Sequence, residues 1–495
     1  MDAALRPFFD PKGVALIGAS REEEKPGHVI LKLLLENKKN GILQAPIYPV
    51  NPNADVILGQ KVYKSISDLP GEVDLAIIVV PARFVPSIVS ELGDKGVKAV
   101  VVISSGFSEI GRTDLEEALK IEARKKGIRV LGPNCVGIFS PWTGVDTIFL
   151  PYTKRLSDGR DVLSAPRPPR GHVALISQSG AVGTAALDYM HGEGIGLSYF
   201  FSIGNKADVD EVELIQALGD DEKTRVILLY LESIARGRAF IEVASKVSAK
   251  KPIIAMKTGR TQAGRRAAAS HTASLAGTDE IYEAAFRRSG VIRAQDIEEL
   301  FDFAKAFATQ PPPQGPRIAI VTDGGGAGVM ATDMAEFLGL QVPELKGETR
   351  AKLEDLRREG RVPEFAQLSN PVDLTGSATS EMFVDATRVL LESPDVDAVA
   401  ILALHQVPGI PDPVDLARKL SSLAKGYSKP VVAVDTGWSE AALLERKEFD
   451  KNGIPAYPTP ERAIKALWAL EKYGEWLRQR GTFKEYLNTF RSISI

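Results

Sequence analysis

The chain has 495 residues, with 61 basic and 64 acidic side chains and a formal net charge of −3. This length predicts about three domains, and 44% hydrophobic with 25% charged residues excludes disorder as the main state. The near balance of charge argues against a general nucleic-acid or membrane-surface binder, because such proteins need surplus cations. A single cysteine excludes an internal disulfide. With no apolar run of about 20 residues and no signal-peptide pattern, we expect a soluble cytoplasmic protein without a metal site.

Short runs rich in Val and Ile recur along the chain and are continuous rather than alternating. Such runs are typical of strands buried on both faces of a parallel sheet. They occupy residues 14–18, 76–81, 99–104, 173–177, 226–231, 252–257, 317–322, 398–403 and 430–435. Stretches with helical spacing lie between them, for example 114–126 and 279–288. This alternation predicts a doubly wound α/β fold.

Two proline-rich segments divide the chain. Residues 151–170 combine four prolines with Lys and Arg, and residues 309–316 read TQPPPQGP. A new strand and a glycine-rich turn follow each segment. We therefore predict three α/β domains at 1–150, 171–310 and 316–475, a Pro/Arg-rich solvated linker at 151–170, and a C-terminal helix or tail at 476–495.

The first glycine-rich turn, Gly18-Ala19-Ser20, follows a strand and precedes a predicted helix. Free backbone N–H groups and the helix dipole at such a turn favour an anion. The sequence lacks the full G-x-G-x-x-G pattern, and Asn51 ends the second strand where an NAD site needs an acidic residue. The first domain is therefore predicted to be Rossmann-like, and a nicotinamide dehydrogenase is disfavoured. A plain tight turn without a ligand is the alternative.

The turns that open the second and third domains are also rich in small residues. In Ser177-Gln-Ser-Gly180 a hydroxyl, a glycine and helix N–H groups cluster, which suits a phosphoryl group. A serine N-cap without a ligand is the alternative. The third turn, residues 322–328, could approach a ligand or serve packing alone.

His271 lies among small and hydroxylated residues, AAASHTASLAG, and follows a segment, 250–266, with six cations and no acid. Neutral imidazole is a nucleophile near pH 7, and a cationic neighbourhood suits an anionic reactant, so we predict a phosphohistidine. A carboxylate is then needed to orient the ring, and Glu232, at the end of a predicted strand, is the candidate. The alternative is a surface histidine without a role. His405, which ends a strand in the third domain, is a reserve candidate, and Cys135 is expected to be a buried structural thiol.

Seven motifs, in order along the chain, resemble those of the α-subunits of ADP-forming acyl-CoA synthetases, within the superfamily that includes succinyl-CoA synthetase. They are Val14–Ser20, Tyr48–Pro52, Gly132–Cys135, Ser177–Gly180, Ser202–Asn205, Ser270–Ala273 and Asn370–Leu374. The resemblance covers residues 1–475. The Ser-His-Thr-Ala setting of His271 favours the acetyl/acyl branch over the succinate branch.

The resemblance implies a Rossmann-like CoA-binding domain followed by two flavodoxin-like, succinyl-CoA-synthetase-like domains. It implies that His271 is the phosphorylated residue with Glu232 as its partner, and that Ser179 and Gly180 bind the phosphoryl group. The residues expected at coenzyme A are Gly18, Ala19, Ser20, Lys25, Val80, Pro81, Ile103, Ser104 and Ser105. Among these, Lys25 is proposed from its charge alone.

The resemblance also implies the reaction, in which acyl-CoA, ADP and phosphate interconvert with a carboxylic acid, CoA and ATP. The chain contains no recognisable ATP-grasp domain, so ADP/ATP and Mg²⁺ are expected on a separate β-subunit in an α2β2 assembly. A longer, aryl or hydroxy acid in place of acetate is an alternative, and so is a CoA- or acyl-CoA-sensing protein without catalysis.

Overall fold

The computed structural model describes the backbone of residues 2–272 and 278–492 and the side chains of residues 2–267 and 278–490. The chain divides into two compact units, Met1–Arg293 and Ala294–Ile495. Within the described ranges, every helix is too short or too polar to cross a membrane.

The first unit opens with a parallel sheet flanked by helices. Its strands and those of a small antiparallel ribbon are β1 (Val14–Ile17), β2 (Ile47–Val50), β3 (Val56–Ile57), β4 (Gln60–Lys61), β5 (Leu75–Ile78), β6 (Ala99–Val102) and β7 (Arg129–Leu131). The helices are α1 (Arg6–Phe9), α2 (Pro26–Lys39), α3 (Val85–Asp94) and α4 (Thr113–Lys126), with 3-10 turns at Ile66–Asp68, Ala82–Phe84 and Ser108–Ile110. The sheet order is β2-β1-β5-β6-β7, and β3 pairs with β4. All residues of β1, β5 and β6 are buried, as both covered faces of a parallel sheet require.

A second sheet completes the first unit. Its strands, with one exposed hairpin, are β8 (Ile138–Phe139), β9 (Thr153–Arg155), β10 (Asp161–Leu163), β11 (Arg170–Ser177), β12 (Leu197–Ser202), β13 (Val226–Leu231), β14 (Ile253–Lys257) and β15 (Val291–Ala294). The helices are α5 (Gly180–Gly192), α6 (Glu211–Gly219), α7 (Gly237–Ser248), α8 (Gln262–Thr272) and α9 (Asp279–Ser289). The order is β15-β14-β13-β11-β12-β8, in which β8 is antiparallel to β12 and β9 pairs with β10 outside the sheet.

The two sheets of the first unit share one apolar core. Phe9 from α1 lies with its ring centroid 4.9 Å from that of Tyr199 and 4.9 Å from that of Phe201, both on β12. Arg129 of β7 binds Asp208 and Glu213, whose oxygens lie 2.8 and 2.9 Å away. The turns of both sheets therefore belong to one continuously packed unit.

The Pro/Arg-rich segment is more ordered than a solvated linker. Its hairpin, β9 and β10, is exposed, but Arg167 is buried. The Arg167 guanidinium donates to Asp146 at 2.9 Å and to the carbonyls of Ile148 and Leu150 at 3.2 and 3.1 Å. A basic residue in this segment therefore anchors it to the core, because a buried charge needs a partner of opposite sign.

The second unit contains the third sheet. Its strands are β16 (Ile318–Thr322), β17 (Val372–Asp373), β18 (Ala398–Leu402), β19 (Val431–Val434) and β20 (Ala456–Tyr457). Its helices are α10 (Ile297–Thr309), α11 (Gly325–Phe337), α12 (Gly347–Arg358), α13 (Ser380–Glu392), α14 (Pro413–Ala424), α15 (Glu440–Lys451), α16 (Pro460–Gln479) and α17 (Phe483–Ser492). The order is β17-β16-β18-β19-β20, all parallel. Helix α10, which the sequence assigned to the second domain, packs on α16 in this unit, with Phe303 against Trp468 and Asp302 paired with Arg462.

The three sheets share one topology apart from β8, an antiparallel edge strand added to the second sheet, and the predicted α/β class is confirmed. In each sheet the first parallel strand lies between the second and the third, and the connections diverge at that point. Ligands of doubly wound sheets bind beyond the carboxyl ends of the strands at such a switch point. The switch points lie between β1 and β5, between β11 and β13, and between β16 and β18.

Candidate functional site

The turn at the first switch point requires glycine. Gly18 follows β1 with φ of +101°, and a Cβ there would lie 3.0 Å from a Val80 methyl and 3.1 Å from the Val79 carbonyl oxygen. Gly27, in the first turn of α2, packs even closer, since its Cβ would lie 2.0 Å from the Gly18 carbonyl oxygen. The helix therefore begins directly against the turn, as phosphate-binding turns of this fold require.

Two side chains hold the carbonyl groups of this turn. Asn51 Nδ2 donates to the Ala19 carbonyl at 2.6 Å. His28 Nδ1 donates to the Ser20 carbonyl at 3.0 Å, which fixes its tautomer with the proton on Nδ1. Asn51, which argued against NAD, thus has a structural role that the sequence did not reveal.

The other residues expected at coenzyme A lie at the same edge of the sheet. Val80 and Pro81 follow β5, and residues 103–105 follow β6, the next strand in the order. Ser104 Oγ donates to the Val80 carbonyl at 2.5 Å and thereby ties these two segments together, whereas Ser105 is exposed. Lys25 is the N-cap residue of α2; its ammonium lies 3.8 Å from the exposed Glu22 carboxylate.

At the second switch point, the turn after β11 leads directly into α5. Ser177 Oγ donates to the Ser179 carbonyl at 2.7 Å, and Ser179 Oγ caps the helix by accepting from the Val182 N–H at 3.4 Å. Gly180 is the first helical residue, and a Cβ there would lie 2.8 Å from a Val136 methyl. The unpaired N–H groups of a helix start and its dipole favour an anion at this point.

Gln178 links the two strands at this switch point, and sequence reasoning did not single it out. Its Oε1 accepts from the backbone N–H of Glu232 at 2.9 Å and of Ser233 at 3.0 Å. The backbone N–H of Gln178 donates to the Tyr230 carbonyl at 3.0 Å. Glu232, which is buried, is therefore held at a fixed distance from the Ser179–Gly180 turn. The sequence feature that could have identified Gln178 is its position as a polar residue directly after a buried strand.

Two buried cations lie on the same edge. Lys206 Nζ donates to the Ser233 carbonyl at 2.8 Å and pairs with the buried Glu211 carboxylate at 3.1 Å. Lys257 ends β14, the neighbour of β13, and its ammonium lies 4.4 Å from the centroid of the Tyr282 ring. Burial lowers the pKa of Lys257 to about 8, although Asp279 and Glu232 act against this shift. Lys257 belongs to the basic segment, residues 250–266, that the sequence analysis noted. No feature of the sequence pointed to Lys206.

The side chain of His271 lies outside the described residues, so its pairing with Glu232 stays a prediction. Cys135 is buried, and burial raises the pKa of its thiol to about 12, which keeps it protonated and unreactive. Among the described side chains, those of residues 2–267 and 278–490, no group of three or more from His, Cys, Asp or Glu is arranged to hold a metal ion.

Three family models match consecutive parts of the chain. They are a CoA binding domain at residues 12–141, a succinyl-CoA ligase like flavodoxin domain at 170–307 and a ligase-CoA domain at 318–482. The chain is 45% identical over 482 residues to the acetate–CoA ligase (ADP-forming) I subunit alpha of Pyrococcus furiosus, covering 96% of this chain and 98% of that one. It is 42% identical over 470 residues to the corresponding II subunit alpha, covering 94% and 96%.

A solved structure is also similar over the full length. It is the dinucleotide forming acetyl-coenzyme A synthetase 1 of Ca. Korarchaeum cryptofilum in complex with phosphate and ADP, with a TM-score of 0.86, 39% identity and 99% coverage of both chains. The glycine turns, the shared strand order and these similarities agree with the resemblance drawn from the motifs. The chain belongs to the family of the α-subunits of ADP-forming acetate–CoA ligases.

Proposed function

We propose that this chain is the α-subunit of a cytoplasmic ADP-forming acyl-CoA synthetase that acts on acetyl-CoA. In the direction of ATP synthesis, phosphate attacks the thioester carbonyl, the C–S bond breaks, and CoA leaves as the thiol with an acyl phosphate as product. His271 then takes the phosphoryl group and the carboxylic acid is released. ADP receives the phosphoryl group in the last step and the imidazole is restored.

The first switch point supports the binding of coenzyme A. Gly18, Ala19 and Ser20 would present backbone N–H groups to its phosphates, and the closely packed start of α2 adds the helix dipole. Lys25 would add a cation at the same helix start. Val80, Pro81 and residues 103–105 would contact the rest of the molecule along the same edge of the sheet.

The second switch point supports the phosphoryl transfer. Ser179 and Gly180 would hold the phosphoryl oxygens at the start of α5, and Glu232 would orient His271 and stabilise its charged form. Lys206 and Lys257 would offset the charge of the transferring group. The observation that carries this proposal is the Gln178 link, because it fixes a buried carboxylate beside a helix start where a histidine could exchange a phosphoryl group.

The nucleotide and Mg²⁺ are assigned to an ATP-grasp β-subunit in an α2β2 assembly. When bound, the metal ion would offset charge on the nucleotide phosphates. The residues of this chain need only bind CoA, cradle the phosphoryl group and orient the histidine.

Intact-mass spectrometry tests the proposal directly. The full chain is incubated with acetyl-CoA and inorganic phosphate, with and without the β-subunit and ADP. We expect an acid-labile gain of one phosphoryl group that is lost in His271→Ala. It should be retained in His172→Ala, a matched change at a histidine whose ring bonds the Lys223 carbonyl and packs near Trp142.

Glu232→Gln keeps the shape of the side chain and removes its charge, so we expect phosphorylation to slow by about 10²-fold or more. CoA binding without any mass gain, under all of these conditions, would favour the sensor protein instead. A panel of longer, aryl and hydroxyacyl-CoAs then identifies the preferred acid.

A further inference from the structure

Three side chains at the carboxyl edge of the third sheet form a hydrogen-bonded chain. His405 follows β18 and Asp435 follows β19, the neighbouring strand. His405 Nδ1 lies 2.8 and 3.0 Å from the two carboxylate oxygens of Asp435, and Nε2 lies 2.8 Å from Ser439 Oγ. Hydroxyl, imidazole and carboxylate in this order are the parts of an activated serine nucleophile.

The arrangement selects the tautomer that a general base needs. A carboxylate can only accept, so the proton resides on Nδ1, and the Nε2 lone pair accepts from the Ser439 hydroxyl. Solvent exposure increases from Asp435 through His405 to Ser439. Asp435 is 1% exposed, the His405 side chain is 10% exposed and Ser439 is exposed. The orienting group is therefore inside the protein and the reacting oxygen faces solvent.

Arg446 binds the backbone of the loop that precedes Ser439. Arg446 Nη1 donates to the carbonyls of Asp435 at 2.6 Å and Gly437 at 2.8 Å. Gly437 has φ of +137°, a conformation that favours glycine. The Arg446 guanidinium also lies 5.5 Å from the centroid of the Trp438 ring, whose side chain is largely exposed.

Ser439 is the N-cap residue of α15, where its Oγ accepts from the Ala442 N–H at 3.2 Å. The backbone N–H groups of Glu440 and Ala441, which precede Ala442 in the first helical turn, have no acceptor within the helix. They are suitable donors for an oxyanion formed at a carbonyl under attack. A nucleophile, a base, an orienting carboxylate and oxyanion donors thus occur together.

Acidic groups surround the triad and favour a neutral acyl donor over an anionic phosphoryl donor. Asp323 and Asp373 lie on the same edge of the sheet, and Glu445 of α15 faces Asp435. Burial and the charge of Asp435 raise the pKa of Glu445 well above its usual range. Arg446 is the facing cation, and it contacts backbone carbonyls rather than the serine.

We propose that Ser439, His405 and Asp435 form a second reactive site that hydrolyses activated acyl esters or thioesters. Ser439 Oγ attacks the acyl carbonyl and forms a C–O bond, while His405 Nε2 takes the hydroxyl proton. The bond to the leaving group breaks, and Nε2 gives the proton to the leaving thiolate or alkoxide. Water then attacks the acyl-serine, its proton passes to Nε2 and on to Ser439 Oγ, and the acid is released. The exposed Trp438 ring offers an apolar surface to the acyl part.

A fluorophosphonate probe tests the nucleophile in the full-length chain. We expect one covalent adduct, which peptide mapping locates at Ser439. Ser439→Asn removes the nucleophile but keeps a good N-cap, so loss of labelling in this variant reports chemistry rather than folding. We expect His405→Ala to slow labelling by about 10²-fold. Thr379→Ala, which removes the hydroxyl N-cap of α13 in the same unit, is the matched control and should be labelled as the unchanged chain is.

Turnover of p-nitrophenyl acetate and of acetyl-CoA distinguishes the two acyl sources. Release of CoA is followed with a thiol reagent, to which the buried Cys135 contributes little. Ester or thioester hydrolysis that is lost in Ser439→Asn supports the proposal. Adducts elsewhere, labelling unchanged in His405→Ala, or labelling without turnover of either substrate would overturn it. Phosphorylation of His271 should persist in Ser439→Asn, which separates this site from the proposed synthetase activity.

Discussion

The carboxyl edges of the second and third sheets are built on the same backbone plan. Each first strand ends in a fully buried hydroxyl, Ser177 or Thr322, that donates to the carbonyl two residues later, at 2.7 and 3.1 Å. In each case a helix begins within the next three residues, and a glycine in its first turns, Gly183 or Gly328, packs against that hydroxyl residue. The position of a site is therefore set by topology common to both sheets.

The side chains at equivalent positions give the two edges opposite electrostatics. Gln178 and Asp323 both follow the hydroxyl residue and accept from backbone N–H groups of the neighbouring strand end, at 2.9 Å from Glu232 and 3.0 Å from Leu404. The amide is neutral, and its surroundings include the cations Lys206 and Lys257. The carboxylate lies among further acids. The same frame thus suits an anionic reactant at one edge and a neutral one at the other.

Replacing Gln178 with Leu should disrupt the carboxyl edge of the second sheet. We expect it to have the largest effect on stability and phosphorylation among these substitutions. It leaves the buried N–H groups of Glu232 and Ser233 without their acceptor. At about 1–3 kcal/mol for each unsatisfied group, we expect a loss of about 3 kcal/mol of unfolding free energy, together with the loss of phosphorylation. Urea unfolding and intact-mass spectrometry measure the two effects.

The control for this change is Ser233→Ala, which removes only the weak 3.3 Å bond from Gln178 Nε2. We expect it to cost less than about 1 kcal/mol. Equal losses in the two variants would show that the link between the strands is unimportant.

Asp323→Asn should make the carboxyl edge of the third sheet resemble that of the second. Its effect on the free energy of unfolding should depend on pH. Burial, with the nearby Asp435 and Asp373 charges, raises the pKa of Asp323 to about 7. The unfolded carboxyl titrates near 4, so between about pH 4 and 7 the folded state holds a proton that the unfolded state releases, and stability falls as pH rises. Asn keeps an oxygen acceptor for the Leu404 N–H but does not titrate. The free energy of unfolding of the variant relative to the unchanged chain should therefore rise by about 2–4 kcal/mol between pH 4 and 8.

Urea unfolding at several pH values measures this difference. Asp333→Asn, an exposed carboxylate on α11, is the control and should show no such trend. A difference between Asp323→Asn and the unchanged chain that is constant with pH would mean that folding does not raise the pKa of Asp323.

The sequence was sufficient to predict most of the buried strands, several helices and the turn that follows the first strand of each predicted domain. Continuous apolar runs predicted β1, β5, β6 and β13, because these strands are buried on both faces, and helical spacing predicted α4 and α9. Strand β12, with the sequence LSYFFS, was missed because it mixes polar and aromatic residues. The residues expected at coenzyme A lie along one sheet edge, since parallel topology alone brings strand ends together.

Contacts that depend on strand order could not be predicted. The Gln178 link requires β11 to pair with β13, which are separated by a strand and two helices in the chain. The bonds of His405 to Asp435 and Ser439 likewise require β18 to lie beside β19. Burial of Arg167 was hidden for a related reason, because its partner Asp146 lies before the proline-rich segment. No local pattern encodes such pairs.

The packing of the equivalent helix glycines offers the finest comparison of the two edges. A Cβ on Gly183 would lie 2.8 Å from Phe200 Cζ and 3.0 Å from Ser177 Cβ, and the Phe200 ring is fully buried and cannot move away. A Cβ on Gly328 would lie 3.2 Å from a Thr322 methyl and 3.4 Å from Pro371 Cβ. We expect Gly183→Ala to cost about 1–3 kcal/mol through overpacking.

Gly328→Ala should be nearly neutral, because alanine gains about 1 kcal/mol of helix propensity, which offsets the closer contacts. Thermal and urea unfolding of the two variants measure this contrast. A larger loss in Gly328→Ala would mean that the third edge is packed more tightly than the second. The expected order instead follows from the aromatic ring of β12, which covers the start of α5, whereas smaller groups cover the start of α11.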